Sequence, residues 1–319
     1  MKITFFDPQG HHEIDTPDWQ TLLASETGTL WVDMTGPTDA DVQVMSEVFQ
    51  FHPLAVEDTR NHEQRPKIEE YTGCLFIILN PGNSGPEGPE FHELDVFVGH
   101  NYVVTVHADG AQVIDQTRRR LSQAGPVPAM SPSYLLYVLM DAAVDSYFPL
   151  LDNVAEEIEQ LEDEVLIEPR QEMLARLFRL KRALIEMWRV VWPQRDILNN
   201  LIHHNPLFMD REALHYYLRD VADHLMWIAD MVNTFRDTLT GIMDLYMSAV
   251  SNRLNVVVNR LTVLTLIIGA MTVIGGFYGM NFVQTWPPFG QAWGVPFVLG
   301  LMVVVTGALL VLFRRLGWY

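Results

Sequence analysis

LTVLTLIIGAMTVIGGFYGMN, Leu261 to Asn281, is followed by a second apolar run, Val295 to Phe313, and no Asp, Glu, Lys, Arg or His occurs between Arg260 and Arg314. The spans Leu261–Tyr278 and Val295–Phe313 each approach the roughly 20 apolar residues with which a helix crosses a hydrocarbon core. The sequence before them reads as water-soluble, so most of the mass is expected in water on a two-helix membrane foot. Two helices cannot enclose an aqueous path alone; a path would need several copies around an axis. Arg253 and Arg260 precede the first span, Arg314 and Arg315 follow the second, and the intervening hairpin is uncharged. The excess of positive charge on the cytoplasmic side then predicts both termini inside the cell, in the cytoplasmic membrane, with the hairpin outside.

The chain has 319 residues, with 40 Asp and Glu against 21 Lys and Arg, a formal charge of −19. That balance disfavours nucleic acid and anionic surfaces and draws in cations, although solubility alone also accounts for it. Cys74 is the only cysteine, which suits a reducing compartment and excludes an intrachain disulfide. The start, MKITFFDPQGHHEIDT, lacks the apolar core of a signal peptide.

Residues 1–130 read as an α/β domain. Thr29–Met34, Leu75–Leu79, Asp95–Val98 and Tyr102–His107 have strand length and composition, the last two joined by the turn Gly99-His100-Asn101. Thr38 is placed to cap a helix over Asp39–Phe49, stopped by His52-Pro53, and Pro81–Pro89 reads as a loop. Residues 131–206 read as a helical hairpin, one arm over Ser133–Ile167 and the other over Arg170–Leu201. The first arm carries Glu156, Glu157, Glu159, Glu162, Asp163 and Glu164; the second carries Arg176, Arg179, Lys181, Arg182 and Arg189. Pairing across the hairpin explains the acidic run, and a cation-attracting surface is the alternative. Residues 207–281 read as one stalk helix continuing into the first span, on the order of 100 Å at 1.5 Å per residue. An external hairpin (282–294), the second span (295–313) and a short tail (314–319) complete the chain.

Steps of four and three along the stalk pick out Asp230, Thr234, Asp237, Gly241, Asp244, Ser248, Ser251, Asn255, Val258, Thr262, Thr265, Gly269, Thr272, Gly276 and Gly279. This is a heptad seam, one face of a slightly supercoiled helix. An ordinary coiled coil would fill it with Leu, Ile and Val; here only Val258 is apolar and larger than glycine. Small residues at this spacing let membrane helices pack closely with no pore. Close packing does not account for the carboxylates, which repel around an axis unless it holds water or cations. A water-filled, cation-conducting axis accounts for both halves, with an apolar constriction at Val258 and Leu261. No Cys, His or carboxylate lies in the spans, so soft-metal stripping sites are absent there. Mg²⁺ keeps its waters in most sites, and a ring of Asn281 amides could hydrogen-bond that hydration shell. At a helix corner Asn281 also makes a simple cap.

Tyr278-Gly279-Met280-Asn281-Phe282, at the end of the penultimate span, resembles the CorA family of divalent-cation transporters. Further matching stretches are Phe51-His52-Pro53-Leu54 with Glu57-Asp58, Gln64-Arg65-Pro66-Lys67, Trp192-Pro193, Thr234-Phe235-Arg236-Asp237, and Ser251-Asn252 through Leu261-Thr262. The resemblance implies a funnel-shaped homopentamer with an α/β cytoplasmic domain, a long helical stalk and two transmembrane helices, the second outside the pore. It implies that Gly279, Met280 and Asn281 form the outer mouth for hydrated cation. Asn255, Val258 and Leu261 then fall at the inner constriction, Thr262, Thr265, Gly269, Thr272 and Gly276 along the pore, and Asp244 on an inner acidic ring. It also implies that Asp58 and Asp220 bind regulatory Mg²⁺ between subunits; read alone, Asp58 is a cap or a salt-bridge partner beside Arg60. Three features depart from the family pattern: no proline near Ala270, no carboxylate in Gln284–Phe289, and a basic tail reduced to Arg314 and Arg315.

The expected function is channel-like passage of hydrated Mg²⁺, with Co²⁺ or Ni²⁺ as further cargo, gated by intracellular Mg²⁺. No organic cofactor and no nucleic-acid partner are expected. The alternative is a Zn²⁺ transporter of the ZntB type, proton-coupled, which the uncharged hairpin keeps open. A membrane-anchored sensor whose spans only oligomerise is a third reading. An enzyme is disfavoured: no phosphate-binding Gly-Lys-Ser/Thr loop occurs, and the adjacent pairs His11-His12 and His203-His204 point apart on a strand or helix.

Overall fold

The computed structural model describes residues 1–61, 64–86, 88–108, 112–123, 130–203, 211–280, 286, 288 and 292–318. They fall into two compact units, Met1–Asp163 with Gln171–Gly241, and Glu164–Arg170 with Ile242–Tyr319.

The first unit is built on a seven-stranded sheet. Its strands are β1 (Lys2–Asp7), β2 (Gly10–Glu13), β3 (Thr29–Thr35), β4 (Lys67–Tyr71), β5 (Cys74–Leu79), β8 (Leu94–Val98) and β9 (Tyr102–His107). The order is β2-β1-β3-β9-β8-β5-β4, with β3 and β9 parallel and every other pair antiparallel. The four strands expected from sequence are all present. Val32, Met34, Phe76, Ile78, Phe97, Val104 and Val106 alternate onto one face and bury against the short helices before β4. Those are α1 (Trp19–Leu23), α2 (Asp39–Gln43), which runs on as a π-helical turn over Val44–Val48, and α3 (Pro53–Asp58).

Local chemistry sets these boundaries. Thr38 and Asp41 form a reciprocal capping box at the start of α2. Gln50 takes a left-handed φ of 53°, and His52 caps α3 with Pro53 in its first turn. Phe51 between them stacks on Phe97 with ring centroids 4.0 Å apart. On the opposite face of the sheet, Asp33 accepts from Thr105 Oγ1 at 2.6 Å and Arg118 at 2.9 Å, and lies 3.2 Å from His107 Nε2. Burial alone would push the Asp33 carboxyl up, but these donors hold it below the usual carboxylate value. Arg118 belongs to α4 (Gln112–Gln123), so the cluster fixes that helix to the parallel strand pair.

Two sequence expectations need correction. Pro81–Pro89 is not a loop throughout: β6 (Gly82–Gly85) and β7 (Gly88–Phe91) pair as a hairpin. Ser133–Ile167 is not one helix but α5 (Pro132–Asp145) and α6 (Phe148–Ile167). Pro149, in the first turn of α6, has no N–H to bond back to Asp145 and so ends the helical line, and two side chains hold the break. Ser146 Oγ accepts from the Gly82 N–H at 2.9 Å, and the fully buried Tyr147 hydroxyl donates to the Asn80 carbonyl at 2.6 Å while accepting from Gln194. The stretch Pro132–Ile167 is long and apolar enough to be mistaken for a membrane span, yet Leu135, Leu136, Val138, Leu139 and Ala143 of α5 are buried within the first unit. A helix apolar all round is then a core helix. α7 (Gln171–His203) carries Pro193 within its length and pairs Arg176 and Arg179 with Glu157, realising part of the charge pairing read across the hairpin.

Asp95 sits on β8 beside Phe97's face with no exposed surface, and neither carboxylate oxygen has a hydrogen-bond partner among the described residues. Burial, then Glu93, then Asp58 raise its pKa, opposed by Lys67. A carboxyl raised on folding is neutral in the folded state at pH values where the unfolded chain has already lost its proton. Stability is therefore lost as pH rises from the unfolded value through the folded one. Asp95→Asn removes that loss: the melting temperature at pH 8 should rise by a few degrees and its fall between pH 5 and pH 8 should flatten. An equally steep fall in the variant would exclude the assignment.

Candidate ion conduit and cation site

α8 (Arg211–Tyr278) is a single 68-residue helix, running through Ala270 without a break, and α9 (Gly294–Arg315) is the last helix. Both contain stretches long and apolar enough to cross a membrane, with mean hydropathy 2.0 and 2.6 and little burial within the chain.

The seam read from sequence lies on an open face. In the first unit Asp230, Thr234, Asp237 and Gly241 are exposed. In the second, Asp244, Ser248, Ser251, Asn255, Val258, Thr265, Gly269, Thr272, Gly276 and Gly279 are exposed, and Thr262 is half-buried. Leu261 is exposed beside the seam. α9 packs elsewhere on α8, with Met302 against Gly275 and Thr306 against Met271. Its own inward stripe runs through Gly294, Val298, Met302, Thr306 and Phe313. A Cβ added at Gly241, Gly269 or Gly276 would meet nothing within 4 Å. Nothing inside the described chain therefore requires glycine at these three positions.

The seam threonines share one arrangement. Thr262, Thr265 and Thr272 each donate their hydroxyl hydrogen to a carbonyl one turn back, of Val258, Leu261 and Ile268, at 2.8 Å. Each oxygen is left with lone pairs facing away from its own helix. Such a surface accepts hydrogen bonds from water or a cation's hydration shell. At the helix end the Gly279 N–H bonds the Gly275 carbonyl at 2.9 Å, and Met280 is exposed. Asn281, read as part of the mouth, lies outside the described residues, as does most of the external hairpin.

Asp58 ends α3 and is held by Lys67 Nζ at 2.7 Å; the same ammonium bonds Glu69 at 3.0 Å. Its ion-pair partner is thus Lys67, while Arg60 pairs with Asp39 at 3.0 Å. Asp220 is exposed on α8, and the two aspartates do not share a ligand cluster among the described residues. One cluster there does gather metal-binding atoms: Asp141 and Asp145 from α5 and His224 from α8 place one ligand atom each within 4.8 Å of one another. Burial first, then Asp141, raise the Asp145 carboxyl, and Asp220 adds to this, so Asp220 lies within electrostatic reach. His224 Nδ1 is buried without a hydrogen-bond partner among the described residues. Two carboxylates and an imidazole together form a donor set for a divalent cation, and the nitrogen suits Co²⁺, Ni²⁺ or Zn²⁺ better than Mg²⁺. The sequence contained half of this signal. Asp141 and Asp145, like Asp220 and His224, are spaced by four on one helix face, but nothing local shows that α5 meets α8.

The family model described as CorA-like Mg²⁺ transporter protein matches residues 26–315. The chain belongs to the CorA family. It is 37% identical to a cobalt/magnesium transport protein CorA of Thermotoga maritima, over 100% of this chain and 92% of that one. It is 32% identical to a putative metal ion transporter of Bacillus subtilis, over 91% and 89% of the two chains. The complete structure of the CorA magnesium transporter of Methanocaldococcus jannaschii shares its fold, with a TM-score of 0.87 at 23% identity over 100% and 99% of the chains. CorA proteins are transporters, not enzymes, and the resemblance read from Gly279-Met280-Asn281 stands. The three-ligand cluster is testable apart from transport. Asp145→Asn or His224→Ala should raise the Co²⁺ concentration that half-maximally shifts the melting temperature of the purified protein by roughly tenfold, equivalent to about 1.4 kcal/mol.

Proposed function

We propose that this CorA protein assembles as a homopentamer whose α8 seams enclose a channel-like path for hydrated Mg²⁺ across the cytoplasmic membrane, with Co²⁺ as a further cargo. The observation that carries this reading is the seam itself: acidic, hydroxyl and glycine positions that α9 leaves uncovered, on a helix otherwise apolar in its last third. The Thermotoga maritima relative is a cobalt/magnesium transport protein, which supports the choice of ions. Val258 and Leu261 form the apolar constriction, and Gly279, Met280 and Asn281 the outer mouth, where Asn281 meets the ion through its water shell. Both termini lie in the cytoplasm. Inward movement is driven by the membrane potential, about 2.3 kcal/mol per charge per 100 mV and about twice that for a divalent ion.

In the proposed gate, Asp58 and Asp220 of neighbouring copies bind Mg²⁺ from the cytoplasm. The bridging ion relieves carboxylate repulsion and ties subunits together; its loss lets them part. The Asp141–Asp145–His224 cluster extends the cation-binding surface from Asp220 along α5. Its nitrogen ligand favours a second reading, in which the sensed or carried ion is Co²⁺, Ni²⁺ or Zn²⁺. Liposome uptake of Mg²⁺ against Zn²⁺, with and without a pH gradient, separates the two.

Cysteines at Thr265 and Thr272 should react with water-soluble thiol reagents in the assembled protein, and cysteines at Leu264 and Ile268 should not. The reverse pattern would place the path elsewhere. Asp58→Asn with Asp220→Asn should make flux insensitive to internal Mg²⁺ and remove Mg²⁺ protection of the soluble unit against proteolysis. Protection at wild-type Mg²⁺ concentrations would count against these two ligands.

A further inference from the structure

We infer that Arg120 is a tethered competitor for the cation at Asp141, so that loading the Asp141–Asp145–His224 cluster and releasing Arg120 are one exchange. The inference rests on the reading of that cluster as a cation site and concerns what regulates its affinity. Arg120 lies near the end of α4, and its guanidinium forms an ion pair with Asp141 Oδ2. It also donates to the Tyr137 hydroxyl at 3.1 Å and lies 5.6 Å from the centre of the Tyr137 ring.

The two partners are placed unequally. The Asp141 side chain is 8% exposed and the Arg120 side chain 44%. A carboxylate buried to that degree is costly without a positive partner. Arg120 is that partner in the absence of a cation. A divalent ion held by Asp141, Asp145 and His224 supplies a larger charge at the same Asp141 carboxylate and repels the guanidinium a few ångströms away. Arg120 can leave at small cost, because it already reaches water and the face of Tyr137 offers a cation–π contact. Asp141 cannot follow it into solvent. One positive charge is thus always present at Asp141, and which one depends on cation concentration.

The exchange also has a route to the long helix. The Tyr137 ring lies 4.7 Å from the ring of Tyr217 on α8, and Tyr134 lies 6.1 Å from the same ring. Moving the guanidinium off Asp141 changes the contact Tyr137 makes on that side, so α4, α5 and α8 respond to a single event.

The test uses the full-length purified protein and the half-saturating Co²⁺ and Mg²⁺ concentrations read from melting-temperature shifts. Arg120→Gln should lower both concentrations about tenfold, the scale of a lost charged hydrogen bond, and lower the melting temperature without metal. Arg120→Lys keeps the charge but loses the fork, and should shift them by about threefold in the same direction. It serves if Arg120→Gln does not fold. Arg119→Gln, the same charge change at an exposed neighbour on α4, should leave both concentrations unchanged. In an Asp141→Asn background, Arg120→Gln should have no effect, since the contested carboxylate is gone. An unshifted concentration in Arg120→Gln or Arg120→Lys, or an equal shift in Arg119→Gln, would overturn the competition while leaving the cation site standing. Unchanged Co²⁺ binding in both Asp145→Asn and His224→Ala would overturn the site and the competition together.

Discussion

A threonine hydroxyl bonded back to its own helix is what lets a polar edge exist on an otherwise apolar segment. Inside hydrocarbon every polar hydrogen needs an acceptor, and Thr262, Thr265 and Thr272 find theirs at Val258, Leu261 and Ile268. The edge therefore costs the isolated helix little to insert, while its oxygens still face outward. In the sequence, Asp230, Asp237 and Asp244 continue the same heptad spacing where the chain is no longer apolar. The proposed conduit, its constriction and its mouth all depend on that edge staying unburied by the chain's own second span, and α9 packs away from it.

Much of this was legible because periodicity survives any tertiary arrangement. The seam needed only spacing and residue size, and the two spans only length and the absence of charge. The capping box at Thr38 and Asp41 was half visible in the same way, since Thr38 is followed at the right distance by an acid. The helix break at Ser146-Tyr147 was only half visible. Pro149, which cannot continue a helix from the residues before it, is its one strong local sign, while Gly82, Asn80 and Gln194, which supply the partners that hold the break, are remote in sequence. The β6–β7 hairpin was hidden by its glycines and prolines, which read as loop in isolation. The Asp141–Asp145–His224 cluster was hidden for a third reason: its two halves are ordinary four-residue spacings whose meaning comes from one helix packing on another.

The first unit spends several buried charges on fixing itself. Asp33 joins β3, β9 and α4 through donors that keep it ionised, whereas Asp95, on the opposite face, has no donor of that kind and is pushed toward its neutral form. The same residue type, buried in both places, thus shifts in opposite directions, decided by whether an arginine, a threonine and a histidine are within reach or a second carboxylate is. Asp141 is also buried and paired, and its partner Arg120 reaches water.

The empty space beside Gly241, Gly269 and Gly276 has a consequence for how such a sequence can drift. A methyl group at any of them would meet nothing among the described residues and would favour the helix by up to about 1 kcal/mol. Folding of one copy therefore exerts no pressure to retain glycine there. In the proposed assembly, retention of glycine at these positions among relatives would report on the clearance between neighbouring copies, a quantity that no single copy possesses.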